Sequence, residues 1–139
     1  MKIVYFSASG NTLAMANYIK EGIEMVGHEV QLIEVDSAKV EDVIKEDIII
    51  LGCPAYGEEE LEGDFMEPFV DSMKDKLQGK KVALFGSYGW GNGEWMKEWE
   101  KKIRSFGADL ITDSLIMYYG PTGIQEDACR SFGMNLGSL

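Results

Sequence analysis

Apolar residues along this chain follow two patterns. Three runs are continuous: IVYF at 3–6, IIIL at 48–51 and VALF at 82–85. A strand covered on one face alternates, whereas one covered on both faces does not, so these runs predict buried parallel strands. Two weaker segments, 28–35 and 110–118, complete a set of five. Between the runs the apolar spacing turns helical. Ala16, Ile19, Ile23 and Val26 recur within 13–26, and Phe65, Phe69, Met73 and Leu77 recur every fourth residue. Trp95, Trp99, Ile103 and Phe106 do the same and meet Gly107 as a helix stop. A short acidic segment at 39–45 predicts another helix, and Ile124, Ala128, Phe132 and Leu136 predict the last.

Strand and helix thus alternate five times, with no internal repeat, linker or low-complexity segment. The fold class expected is α/β, a doubly wound five-stranded parallel sheet in the order 2-1-3-4-5 with helices on both faces, as one domain over 1–139. In such sheets ligands bind beyond the carboxyl ends of the strands, where the strand order reverses. The three strongest strands would be neighbours, so the loops that follow them share one crevice. These are SASGNT at 7–12, CPAYGEEELEG at 53–63 and SYGWGNG at 87–93.

The first loop runs into a helix, whose first N–H groups lack partners and carry the positive end of the helix dipole. Gly10 lets an anion approach the backbone, and Ser7, Ser9, Asn11 and Thr12 add side-chain donors. Two readings stand: a cradle for a phosphate monoester, or a helix merely capped by Ser9 or Thr12. The loop contains no Lys or Arg. Loops that transfer phosphoryl groups place a lysine on the terminal phosphate, whereas here Gly79-Lys80-Lys81 precedes a strand. A phosphate held here would anchor a ligand and would not react.

The third loop frees its backbone with Gly89, Gly91 and Gly93 around Trp90, which offers a flat face at the crevice mouth. Trp95 and Trp99 sit at helical spacing and read as core; Tyr88 is open. In the second loop Tyr56 either stacks on the other face of the same planar ligand or is an ordinary loop tyrosine. Gly57 permits positive φ, so its peptide can turn the carbonyl in or out. Glu58, Glu59, Glu60, Glu62, Asp64 and Glu67 read as a mostly solvated acidic face, one member of which could accept a hydrogen bond from the ligand.

Other chemistries fail on particular residues. Phe85 stands where a GxSxG elbow around Ser87 needs glycine, and Glu94 replaces the last glycine of GxGxxG after Gly89 and Gly91. No arginine closes a short loop around Cys53, and no acidic cluster follows the first strand. The single histidine, His28, falls in a helix-to-strand turn away from the crevice. Cys53 and Cys129 are far apart and read as buried thiols, so with one histidine no zinc or iron–sulfur set can be assembled. A net charge of −11 argues against nucleic acid and anionic membranes as partners. Without a signal peptide pattern or a spanning apolar run, a reducing cytoplasm is the expected compartment.

Taken in register, KIVYFSASGNT, EDIIILGCPAYGEEELE and KKVALFGSYGWGNGEW resemble the flavodoxins, specifically the short-chain, clostridial-type form, nearly end to end. The last strand carries no long insertion, which disfavours the long-chain form. The resemblance implies a flavodoxin-like domain that binds FMN non-covalently and has no substrate chemistry of its own. It implies cofactor contacts at Ser7, Ala8, Ser9, Gly10, Asn11 and Thr12 for the phosphate. Further contacts would come from Pro54, Ala55, Tyr56, Gly57, Glu58 and Glu59, and from Ser87, Tyr88, Gly89, Trp90 and Gly91. Trp90 would cover one face of the isoalloxazine and Tyr56 flank the other, Glu59 would accept from ring N3, and the Gly57 carbonyl would accept from N5–H in the semiquinone. Close relatives carry Met where Tyr56 stands, a change that bears on redox potential and not on the cofactor; at Ser9 Thr is frequent.

The function so implied is a low-potential one-electron carrier shuttling between semiquinone and hydroquinone. A hydrogen bond made in only one redox state shifts the equilibrium by about 1 kcal/mol. Screened surface acids contribute roughly a few tenths of a kcal/mol each, so poor solvation of the anion between Tyr56 and Trp90 is expected to dominate. Expected partners are redox proteins with basic docking surfaces, reductase-type donors and oxidoreductase acceptors, met by a monomer through small interfaces. One rival is an FMN-dependent NAD(P)H:quinone reductase-type enzyme on the same fold, for which the chain has no spare segment. The other is a signalling module for a different phosphorylated ligand. Tyr118 and Tyr119 either edge the cofactor site or mark a partner surface.

Overall fold

Successive residues of a strand point to opposite faces, and each central run here is apolar at every position, so both faces need cover. The computed structural model describes residues 1–57 and 60–139. Its sheet is parallel throughout, with β1 (Lys2–Tyr5) between β2 (Gln31–Glu34) and β3 (Ile48–Gly52), and β4 (Lys81–Tyr88) beyond β3. Val4, Ile49, Leu51, Val82 and Leu84 face one helical layer, formed by α2 (Val40–Val43), α3 (Met66–Ser72) and α4 (Glu94–Ser105). Ile3, Tyr5, Ile48, Ile50, Ala83 and Phe85 face the other, formed by α1 (Asn11–Met25) and α5 (Ile124–Gly137).

The last strand differs from the continuous segment expected over 110–118. It is split into β5 (Asp109–Leu110), paired with the start of β4, and β6 (Leu115–Tyr118), paired with its end. Val82 opposes Leu110 and Phe85 opposes Leu115, so four outer residues span the gap that two residues of β4 fill. An edge position has one neighbour, so a local surplus disrupts a single ladder. Ser114 in the gap donates to Glu100 of α4 at 2.6 Å.

Two helical faces also begin later than their spacing predicts. Phe65 lies just before α3 and is 46% exposed, while Met66, Phe69 and Met73 take the buried positions. Ile124 opens α5 and is 87% exposed, leaving Cys129, Phe132 and Leu136 to pack. Trp95, Trp99 and Ile103 of α4 are buried as expected, and both thiols are free and buried. Helices α1 and α5 approach very closely. A Cβ on Gly22 would collide with the Arg130 carbonyl, and one on Gly133 with the Ile19 carbonyl. No helix among the described residues is long and apolar enough to cross a membrane.

Candidate functional site

The three crevice loops are joined at their roots by main-chain bonds. Phe6 N donates to Gly52 O at 2.9 Å, Cys53 N to Phe85 O at 3.1 Å, and Ala55 N to Ser87 O at 2.9 Å. The ends of β1, β3 and β4 therefore move as one edge.

In the first loop the capping group is Ser7, not Ser9 or Thr12. Its Oγ accepts from the amides of Gly10 and Leu13, both at 3.2 Å. Gly10 occupies the left-handed region (φ 96°), where a side chain would be strained, and it starts α1 at Asn11. Ser7 leaves the outward amides alone: those of Ala8, Ser9, Asn11 and Thr12 have no acceptor among the described residues. Ala8, Ser9 and Gly10 are exposed.

Thr12, expected as a side-chain donor, lies inside the loop. It is buried, and its Oγ1 lies 2.9 Å from Oγ of Ser87, itself buried at the end of β4. Two hydroxyls that share one hydrogen bond hold two protons, of which that bond uses one. The other O–H is a spare donor at the start of α1. Four amides and one hydroxyl proton, with no cation in the loop, suit an anion that is held by geometry.

The second loop is pinned at its base. Tyr56 N donates to Glu60 O at 3.0 Å and Glu60 N to Tyr56 O at 2.8 Å, closing a small turn over Gly57 (φ 56°). Glu58 and Glu59, the latter carrying the expected N3 contact, lie outside the described residues. Pro54 and Ala55 are buried under the turn, and Tyr56 is 44% exposed. Glu62 does not belong to the solvated acidic face. It is 1% exposed, and its carboxylate accepts from the amides of Asp64 (2.7 Å), Phe65 (2.9 Å) and Met66 (2.8 Å) ahead of α3. Glu60, Asp64 and Glu67 are solvated as expected. Burial pushes the neighbouring Cys53 thiol up to about 12, offset by a hydrogen bond to the Glu62 backbone and reinforced by the Glu62 charge. That thiol stays protonated.

In the third segment β4 runs through Tyr88, so Ser87 and Tyr88 are strand and the loop begins at Gly89. Trp90 is 52% exposed at the tip, flanked by exposed Gly91. Tyr88 resolves as a wall: its ring lies 5.6 Å from Trp95 and 5.4 Å from Tyr118, which meets Tyr119 at 4.6 Å. Tyr118 and Tyr119 remain half-exposed beside the loop, and Tyr119 N donates to Tyr88 O at 2.7 Å. His28 bonds the Gly137 carbonyl at 2.7 Å, away from the crevice. A groove of about 580 Å³ runs between α4 and Glu60 and Leu61 of the second loop, away from the loops at 7–12 and 89–93.

A family model described as flavodoxin matches residues 3–132. The chain belongs to the flavodoxin family. It is 42% identical to the flavodoxin of Clostridium beijerinckii over 139 residues, covering all of both chains. It is 47% identical to that of Megasphaera elsdenii over 116 residues, covering 84% of this chain and 85% of that one. A solution structure of two-electron reduced Megasphaera elsdenii flavodoxin matches with a TM-score of 0.90 at 43% identity, over 99% of this chain and 98% of the other. Flavodoxins are FMN-binding electron carriers that donate electrons to redox partner proteins, and this flavodoxin is an electron-transfer protein and not an enzyme. The quinone-reductase alternative is not favoured.

Sequence reasoning missed two residues of this site and one role. Ser7, read as a side-chain donor, also accepts from two amides and so shapes the loop. Glu62 was hidden among neighbouring acids, although its place just ahead of the first helical apolar position is where a capping carboxylate is useful. Phe6, read only as strand, lies against Tyr56.

Proposed function

We propose that residues 1–139 form one FMN-binding unit in which the loop at 7–12 anchors the phosphate without neutralising it. The observation that carries this is the set of open amides at Ala8, Ser9, Asn11 and Thr12, together with the Thr12–Ser87 hydroxyl pair. FMN, when bound, supplies two one-electron steps. Trp90 and Tyr56, both half-exposed and on opposite loops, flank its ring and exclude water from its faces. Gly89 and Gly91 give Trp90 its approach, and Tyr88 backs that wall.

Tyr56 and Glu60 are tied to each other in both directions, and Gly57 has the positive φ by which its carbonyl would accept from an N–H of the ring. Glu59 is the acceptor for the pyrimidine edge of the ring, with Glu58 beside it in sequence. The buried negative charge at Glu62 and the uncompensated phosphate both disfavour adding a second electron, which supports a low-potential carrier. A chain of net charge −11 suits partners with basic docking patches, reached as a monomer. The two buried free thiols suit a reducing, cytoplasmic setting.

Titration of the apoprotein with FMN and with riboflavin tests the anchor. Each good charge-assisted hydrogen bond is worth about 1.5–3 kcal/mol, so FMN is expected to bind at least about 100-fold more tightly than riboflavin. Equal affinity for the two would overturn this assignment.

A further inference from the structure

The ring of Phe6 occupies a place that no part of the mechanism above uses. Its backbone is fixed, since its amide closes the β1–β3 ladder on Gly52 at 2.9 Å, and the next residue is Ser7. Its half-buried side chain packs on the core beneath α3 and α4. On one side the Tyr56 ring meets it edge-on, at 6.0 Å and 89°. On the other the Phe65 ring stacks near-parallel, at 6.2 Å and 19°. Tyr56 and Phe65 sit on the two limbs of the second loop, one tied to Glu60 and the other to the Glu62 carboxylate.

Tyr56 is half-exposed, and among the described residues nothing hydrogen-bonds its hydroxyl. Its main chain is pinned, but its side chain is restrained by the contact with Phe6. Edge-to-face pairs have a preferred orientation as well as an attraction. Phe6 in turn cannot swing its ring without losing its packing on the core. We propose that Phe6 is a positioning residue: it fixes the angle of the Tyr56 ring at the flank of the crevice and couples that flank to the anion loop beginning one residue later. The proposal rests on the reading of Tyr56 as a flank of the flavin, and it explains how a tyrosine at that position is kept from closing over the crevice.

The test is a double-mutant cycle of Phe6→Leu and Tyr56→Leu in the FMN-loaded protein. The equilibrium constants of both one-electron steps are read by redox titration, and the Tyr56 ring signals of the apoprotein by NMR. With Tyr56 present, Phe6→Leu is expected to change the constant of the first step at least about threefold and to abolish the ring-current displacement of the Tyr56 protons. In the Tyr56→Leu background the same substitution is expected to change that constant by much less, because coupled neighbours are non-additive. The FMN-over-riboflavin preference should survive in both. Phe65→Leu, at the outer and half-exposed ring, gives a smaller shift of the same sign and serves if Phe6→Leu does not fold. Equal shifts in both backgrounds, or Tyr56 signals unmoved by either variant, would overturn the proposal. An unmodified apoprotein that refuses FMN would instead sink the cofactor-site assignment, leaving the NMR result to judge the ring contact alone.

Discussion

The loops after β1 and β3 both fold a side chain back onto backbone amides, with opposite consequences. Ser7 offers a neutral hydroxyl to two amides and leaves four others facing outward. Glu62 offers a buried carboxylate to three amides and leaves none of these for a ligand. A carboxylate in the first loop would cancel the positive field that an anion needs, whereas in the second it consumes that field at the start of α3. The difference shows how one chain with 24 acids keeps its anion site open: the capping group is neutral where a ligand must come and charged where none should.

The largest effect expected from breaking this contrast is at Glu62. Glu62→Ala orphans three amides, that of Met66 in a buried position, and should lower stability by about 3 kcal/mol in urea denaturation. Asp64→Ala, on the exposed face, should stay within about 0.5 kcal/mol; equal losses would erase the distinction. Next is alkaline sensitivity at Cys53, beside Glu62. Its thiol is raised from 9.0 to about 12 in the folded protein, so an unfolded chain loses that proton first. Stability from this group is complete below pH 9 and falls as pH rises, by about 3 kcal/mol at pH 11. Alkaline unfolding curves should lose that component in Cys53→Ala.

Ser7→Ala should cost about 1–2 kcal/mol and weaken FMN binding, because the loop loses its internal acceptor. Ser9→Ala, whose hydroxyl caps nothing, should leave stability unchanged in the same assay. The smallest effect sharpens how the second loop is rooted. Trp95 Nε1 donates to the Cys53 carbonyl at 3.3 Å, whereas Trp99 Nε1 is buried with no partner among the described residues. Trp95→Phe should therefore destabilise by about 1 kcal/mol more than Trp99→Phe, measured by thermal unfolding of the two variants.

The sheet was legible because both faces of its central strands demand apolar side chains, a demand written in consecutive residues. The break at 111–114 was not, since an edge position tolerates polar residues as readily in a strand as out of one. Phe65 and Ile124 kept helical spacing while lying at helix boundaries, where spacing alone does not say which turn is first. The proposed site is placed by glycine and aromatic residues after three strands. Its internal wiring is not: Thr12 and Ser87 are distant in sequence and meet only because β4 lies over the start of α1. The roles of Ser7 and Glu62 were likewise invisible, because serine donates as readily as it accepts and acids abound near residue 62.

The bare patches at Gly22 and Gly133 let α1 and α5 lie backbone to backbone. Because α1 begins in the anion loop, its tilt is set by its neighbour in the same layer, at two buried glycines of the helix seam. A single methyl group at either position would act as a wedge, levering the mouth of the crevice from behind. The anion loop is thus braced through a buried seam between two helices.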